Sequence, residues 1–446
     1  MRSRSNSLSL VSIPACMALL ATITAANAGD WPQYLGPTMN GVSAETGLAR
    51  TWPKGGPKVL WTVSLGVGYG APAVKNNLVY VLDRVDNKKD VLRCLDLAGG
   101  REQWTFEYAA PGKLSHDGSR TTPTVDDKHV YALGPFGHFH CVSLETRRPV
   151  WKKDLAADFN VTLPRWGFAQ NPVLYKNTVI TAPQGSLAGL VAFDRVSGKV
   201  VWKTPFVPQM APGGWHGSYV TPVVLNVGGV DQVVLILAPT SKKDPNGNPD
   251  KPGLIMGYDA AGGSLLWTHA GWNCAIPIPC AMSPADDLVF VAGGYNAGVI
   301  MLKLARKNNL WSVSEVFKTT DSRSQLHPPI AYEDHLYIES NDKGVADGLM
   351  CLTLDGKIKW QTGKSDRKHP DFNWGGMLLA DGMIYIVDGK KGDLRLVEPT
   401  PDGYKELAKV QKILGGKEIW APPALSNGRL LIRDQSKMLC LDVRKR

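Results

Sequence analysis

Apolar residues come in short, strand-length runs along this chain, as in Leu78-Val79-Tyr80-Val81, Val233-Val234-Leu235-Ile236-Leu237 and Met383-Ile384-Tyr385-Ile386. Asn-Asn, Asp-Asp, Gly-Gly and Ser-Gly pairs punctuate these runs, and such pairs favour tight turns between strands. Pro and Gly leave no uninterrupted window at helical spacing, so the pattern predicts an all-β chain without long helices.

The runs repeat. Each unit opens on Pro and an apolar strand, passes through two further apolar strands, turns at Gly and closes on Trp. The first runs from Ala71-Pro72-Ala73-Val74 through Arg93-Cys94-Leu95-Asp96 to Gln103-Trp104. The second runs from Thr122-Pro123-Thr124-Val125 to Val150-Trp151, and the third from Asn171-Pro172-Val173-Leu174 to Val201-Trp202. The fourth, from Thr221-Pro222 to Leu266-Trp267, is lengthened by the polar insertion Ser241 to Pro252. The fifth surrounds Trp311, the sixth ends at Lys359-Trp360, and the seventh lacks the closing Trp. The eighth has three strands and then the chain ends, while Val59-Leu60-Trp61-Thr62-Val63 stands unclaimed before unit one.

A period of about 50 residues with four strands per unit predicts an eight-bladed β-propeller of four-stranded blades. The N-terminal strand completes the last blade and closes the ring, which removes the sheet edges that would otherwise aggregate. The predicted blades cover about 71–106, 121–155, 170–206, 219–270, 277–319, 327–363, 375–413 and 421–446 together with 58–65, all within a propeller at 58–446. Residues 29–57 form an N-terminal extension, expected to be dispensable relative to the closing strand.

Residues 1–28 have the features of an export signal: Arg2 and Arg4, an apolar stretch from Leu8 to about Thr24, and Ala26-Asn27-Ala28 at a small-x-small cleavage point. A periplasmic or extracellular location is expected. Ile13-Pro14-Ala15-Cys16 only loosely matches a lipidation box, and no lipid anchor is expected. In an oxidising compartment the cysteines matter. Cys94, Cys141, Cys351 and Cys440 occupy one repeat position rather than a metal-ligand spacing, and Cys274 and Cys280 are close enough in sequence to bridge. The formal charge is +10, but no run of five Lys/Arg occurs, so nucleic acid is not an expected partner.

The runs Asp194-Arg195-Val196-Ser197-Gly198-Lys199-Val200-Val201-Trp202 and Asp259-Ala260-Ala261-Gly262-Gly263-Ser264-Leu265-Leu266-Trp267 resemble the tryptophan-docking repeat of pyrroloquinoline-quinone (PQQ) propellers. The resemblance covers the chain from about Trp31 to Arg446. Two branches share this repeat: quinoprotein alcohol dehydrogenases, which bind PQQ and Ca²⁺, and BamB-like outer-membrane assembly proteins, which bind no cofactor. The segments Asp30-Trp31-Pro32-Gln33-Tyr34-Leu35-Gly36-Pro37 and Trp52-Pro53 also resemble exported bacterial PQQ-repeat proteins. The dehydrogenase hallmark is a pair of adjacent cysteines over the quinone, and no Cys-Cys occurs here. No catalytic residue and no metal ligand is therefore assigned, and neither PQQ nor Ca²⁺ is expected. The resemblance implies a monomeric binding protein, peripheral to the outer membrane, for a protein, carbohydrate or small-molecule partner. A PQQ-dependent dehydrogenase with an atypical site is the alternative.

The candidate ligand site lies where the loops leading into the innermost strands converge. Those loops carry His116, Arg120, Trp166, Gln170, Trp215, His216, Asn273, Gln325, His327, Asn373, Trp374, Glu418 and Trp420. Trp, His, Arg, Asn and Gln around one channel mouth suit a planar ligand, a sugar or an extended peptide. The repeated tryptophans at 61, 104, 151, 202, 267, 311 and 360 are expected to pack between blades, because a binding residue has no reason to recur in every blade. His138 and His140, with no third ligand in sight, are expected to be surface histidines. No Ser-His-Asp elbow, P-loop or His-Glu-x-x-His motif is present, and Gly68-Tyr69-Gly70 is a turn.

Overall fold

The computed structural model describes residues 29–210, 217–342, 345–363 and 370–445. The expected export signal lies outside the described residues. Eight sheets, antiparallel within each blade, follow one another along the chain, and among the described residues helix is confined to the single turns Leu155–Asp158 and Pro208–Met210. Blade 1 holds strands between Ala73 and Ala109, blade 2 between Thr124 and Asp154, blade 3 between Val173 and Lys203, and blade 4 between Val223 and His269. Blade 5 holds strands between Leu288 and Thr319, blade 6 between Ile330 and Gln361, blade 7 between Met377 and Val410, and blade 8 between Ala424 and Asp442. The first strands of blades 1 and 2, 3 and 4, 6 and 7, and 8 and 1 touch, so the first strands line a central axis.

Lys58–Ser64 pairs antiparallel with Lys437–Asp442, in register from Lys58 opposite Asp442 to Ser64 opposite Lys437. This makes blade 8 four-stranded from both ends of the chain. Blade 5 departs from the pattern. It has three strands, and only an isolated bridge from Met282 to Phe290 stands where the inner strand would be.

The repeat has a steric logic. In blades 1, 2 and 6 the cross-strand rows read Tyr80-Cys94-Trp104, Tyr131-Cys141-Trp151 and Tyr337-Cys351-Trp360. In blades 3, 4 and 8 the residue opposite the Trp is Ala192, Gly257 or Cys440. A small residue there leaves room for the indole lying across the sheet. All six cysteines at or beyond position 94 are buried free thiols, Cys274 and Cys280 included. Burial pushes the Cys94 and Cys141 thiols up to about 12, so they stay protonated as small apolar groups.

The outer strand slips by one residue just before each of Trp61, Trp104, Trp151, Trp202, Trp267 and Trp360. Such a bulge re-aims the side chain that follows it. In four junctions the ring of one blade then lies on a glycine turn of the next: Trp61 on Gly100, Trp151 on Gly198, Trp202 on Gly263 and Phe317 on Gly356. Phe317, not Trp311, is thus the docking residue of blade 5. It stands opposite Met301 directly at the bulge, whereas Trp311 begins the outer strand. The sequence pattern pointed to Trp311 because it was the only Trp in that unit.

The N-terminal extension is part of the core. Trp31 exchanges both backbone hydrogen bonds with Val74 of blade 1, and Val125 of blade 2 donates to the Pro32 carbonyl. Val42–Ser43 then pairs parallel with Leu379 and Ala380 of blade 7. Trp31, Leu35 and Met39 are buried, Leu35 and Met39 within the cluster formed by blades 4 and 5. All these partners lie at or beyond the ends of the first strands, away from the loops that lead into them. The segment therefore crosses the far mouth of the axial channel and floors it.

Candidate functional site

A cavity of about 420 Å³ opens at the other mouth, within the size range of small-molecule sites. Every blade supplies part of its wall. Tyr69 comes from the loop before blade 1, His116 and Arg120 from that before blade 2, and Trp166 and Asn171 from that before blade 3. Tyr219 and Thr221 precede blade 4, Ile278 precedes blade 5, and Gln325, Leu326 and His327 precede blade 6. Trp374 and Trp420 precede blades 7 and 8, Tyr295 lies within blade 5, and Tyr34 rises from the N-terminal segment. The channel is thus a cup, open at one end.

The loops of blades 1 to 4 are tied to one another by the polar residue before the Pro of blades 2, 3 and 4. Ala71 N donates to Thr122 Oγ1, Thr122 N to Asn171 Oδ1 (2.6 Å), and Asn171 Nδ2 to Thr221 Oγ1 (2.7 Å). Tyr69 N donates to the Ser119 carbonyl, and Gly70 is needed there because a Cβ would strike the Thr121 carbonyl. These bonds fix the rim before any ligand arrives.

The aromatic groups form a connected belt. Trp374 and Trp420 lie 6.4 Å apart at 77°, Tyr69 and Trp420 5.4 Å apart at 25°, and His116 and Trp166 6.4 Å apart at 64°. Trp166 continues to Tyr219 at 5.1 Å and 45°. Arg120 stacks over Tyr69 at 5.6 Å and donates to the carbonyls of Gly118 and His116. Burial pushes its guanidinium down to about 10, which leaves it charged at neutral pH.

Two buried polar atoms in this wall have no hydrogen-bond partner in the protein, Oε1 of Gln325 and Nε1 of Trp374. Buried polar atoms left open in this way cost free energy unless something satisfies them. His327 is 6% exposed, and its burial pushes it down to about 4, so it is neutral.

Of the expected site residues, His116, Arg120, Trp166, Gln325, His327, Trp374 and Trp420 line the cup. Glu418 stands behind it, accepting from the Tyr69 hydroxyl at 2.5 Å with His116 Nδ1 at 3.4 Å. Gln170 is buried and ties its loop to blade 4 through the Ser218 carbonyl at 3.0 Å. Asn373 bonds Asp371 at 2.7 Å and does not line the cup. Asn273 accepts from Gly253 N and borders a separate shallow hollow with Trp272 and Lys318. Trp215 and His216 lie outside the described residues. Tyr69, Tyr219, Tyr295 and Asn171 were not singled out by the sequence. Tyr69 stands three residues before Pro72 of blade 1 as Arg120 stands three before Pro123 of blade 2, and that equivalence could have found it. Tyr34 carries no such signal, because it lies outside the repeat.

His140 is buried, in contrast to the surface position expected for the His138–His140 pair. Its ring packs against Tyr108 at 4.1 Å and Phe106 at 5.2 Å, and burial pushes it down to about 4.

The cup can be compared with what PQQ and Ca²⁺ require. Ca²⁺ takes six to eight oxygen ligands with carboxylates prominent among them. No carboxylate lines the cup, and among the described residues no three His, Cys, Asp or Glu side chains converge as a metal-ligand set. The lining does not supply the carboxylates that Ca²⁺ favours.

Comparison with known proteins places these features. No curated protein matches the sequence of this chain. The fold is similar to BamB from Moraxella catarrhalis, at 13% identity and TM-score 0.56, over 86% of this chain and 99% of that one. It is also similar to the quinohemoprotein alcohol dehydrogenase from Comamonas testosteroni, at 13% identity and TM-score 0.63, over 94% and 81% of the two chains. A europium-containing methanol dehydrogenase is similar at 13% identity and TM-score 0.64, over 93% and 89%. At such identities the structures speak for the fold alone. The family model described as outer membrane protein assembly factor BamB matches residues 87–238 and 251–446, most of the propeller, and the chain belongs to that family.

Proposed function

We propose that this chain is an exported, non-catalytic propeller that binds a small organic ligand in its aromatic cup. One observation carries the reading. The cup holds buried, unpartnered polar atoms of Gln325 and Trp374 beside a connected aromatic belt. Apolar walls with a few open polar groups are the composition of ligand pockets. The N-terminal pattern of charge, apolar stretch and small residues supports export. Membership of the BamB family supports a protein partner at the outer membrane as a second role, on surfaces outside the cup.

The test begins with a thermal-shift screen of sugars and aromatic carboxylates, since any ligand of the folded state raises the melting temperature. Trp374 and Trp420 are both only partly buried. Trp374→Ala and Trp420→Ala should each weaken the same binder by about 1–3 kcal/mol with little loss of stability. Losses of stability of about 3–5 kcal/mol with unchanged affinity, as for core aromatics, would mean that both residues are structural. Oxidation of an alcohol or sugar by the protein reconstituted with PQQ and Ca²⁺ would overturn the non-catalytic reading.

A further inference from the structure

We infer that the cup takes an acidic sugar, a hexuronic acid or a short oligosaccharide carrying one, with the sugar ring on the aromatic belt and the carboxylate on Arg120. The inference rests on the reading of the cup as a ligand site and names its ligand class.

The shape of the belt comes first. A flat conjugated ligand is best held between two parallel faces. Among the described residues the belt offers no such slot. Trp374–Trp420, His116–Trp420, His116–Trp166 and Trp166–Tyr219 are inclined at 77°, 55°, 64° and 45°. Tyr69 and Trp420 are nearly parallel but closed on each other at 5.4 Å. An inclined belt suits a rounded ring that lies on one aromatic face by its C–H groups and turns its polar rim elsewhere. A pyranose has that form, and aromatic faces supply large apolar contact area for it.

The polar groups come second. Arg120 contacts two backbone carbonyls and the face of Tyr69, and among the described residues it makes no ion pair. Asp117 acts on it only at longer range, and Glu418 is engaged by Tyr69 and His116 outside the lining. A half-buried, charged guanidinium with no carboxylate in contact favours an anionic ligand, and its planar fork matches a carboxylate geometrically. The open Oε1 of Gln325 and Nε1 of Trp374 offer an acceptor and a donor of the kind that hydroxyl groups satisfy. The cavity volume of about 420 Å³ accommodates more than one sugar ring.

Isothermal titration of the purified protein with galacturonate and with galactose tests this. Galacturonate should bind more tightly by about tenfold or more, the scale of one charge-assisted hydrogen bond. Arg120→Gln should remove that preference, lowering galacturonate affinity by a larger factor than galactose affinity. Should Arg120→Gln fail to fold, Arg120→Lys should keep the preference for the acid in weakened form. Equal affinity for the two sugars in the wild type would overturn the role of Arg120. Binding of naphthoate but of neither sugar would overturn the sugar class and leave the cup as a ligand site. No binding of any of the three, with Trp374→Ala and Trp420→Ala merely unstable, would remove the cup reading itself.

Discussion

Four glycines decide how the blades stack. Gly100, Gly198, Gly263 and Gly356 all adopt positive φ, between 68° and 88°, and a Cβ on any of them would come within 2.7 Å of the docked ring. In the turns at Gly198 and Gly263 the opening Asp folds the chain locally: Asp194 Oδ1 accepts from Ser197 N at 2.7 Å and Asp259 Oδ2 from Gly262 N at 2.6 Å. Gly198→Ala therefore combines left-handed strain with overpacking against Trp151, and should cost about 2–5 kcal/mol in denaturant unfolding. Wild-type stability in that variant would mean that the ring does not rest on the turn. His327 makes a second prediction at this scale. Its folded value is pushed down to about 4 from 6.5, so the unfolded chain binds the proton more readily between those limits. The contribution of His327 is complete above pH 6.5 and is lost as pH falls towards 4. His327→Gln should melt with a shallower decline than wild type over that window, and parallel profiles would contradict the buried neutral imidazole.

Two N-terminal elements carry structural weight that differs in kind. Lys58–Ser64 covers the open edge of blade 8 and brings Trp61 onto Gly100, with its indole N–H donating to the Leu97 carbonyl at 3.0 Å. The segment from Asp30 to Thr38, which the repeat pattern left as a dispensable extension, buries Trp31 and Leu35 and contributes Tyr34 to the cup. Deleting Leu60 to Leu65 should cost the most, because it removes a strand, a docking ring and ring closure together. Deleting Asp30 to Thr38 should also lower stability by about 3–5 kcal/mol, the range for losing a buried Trp. It should abolish ligand binding as well, since the floor is gone. Unchanged melting and unchanged binding after the shorter deletion would show that the segment neither packs nor floors the cup.

The whole molecule is a ring whose symmetry does two jobs. Closure hides the strand edges, and it gathers loops from eight distant stretches of chain around one axis. The all-β character, the eight units and the strand that completes blade 8 were legible in the sequence because each rests on local chemistry. Strand length and turn residues recur from unit to unit, a closing Trp marks most of them, and an incomplete last unit matches an unclaimed strand at the start. Blade 5 misled the reading because Phe317 docks as well as Trp does, and the pattern recorded only the identity of the ring. The channel-mouth loops could be named from the repeat, and His116, Arg120, Trp166, Gln325, His327, Trp374 and Trp420 do line the cup. Repeat position alone could not tell Gln170, Asn273 and Asn373, whose side chains bond protein groups, from their neighbours that face the cavity. Which way a loop side chain points depends on hydrogen bonds made across blades, and those partners lie some 50 residues away, as Asn171 and Thr221 do. Tyr34 and the floor were beyond reach for the same reason. Their partners, Val74, Val125 and Leu379, come together only when the ring has closed, so only the tertiary structure turns a channel into a cup.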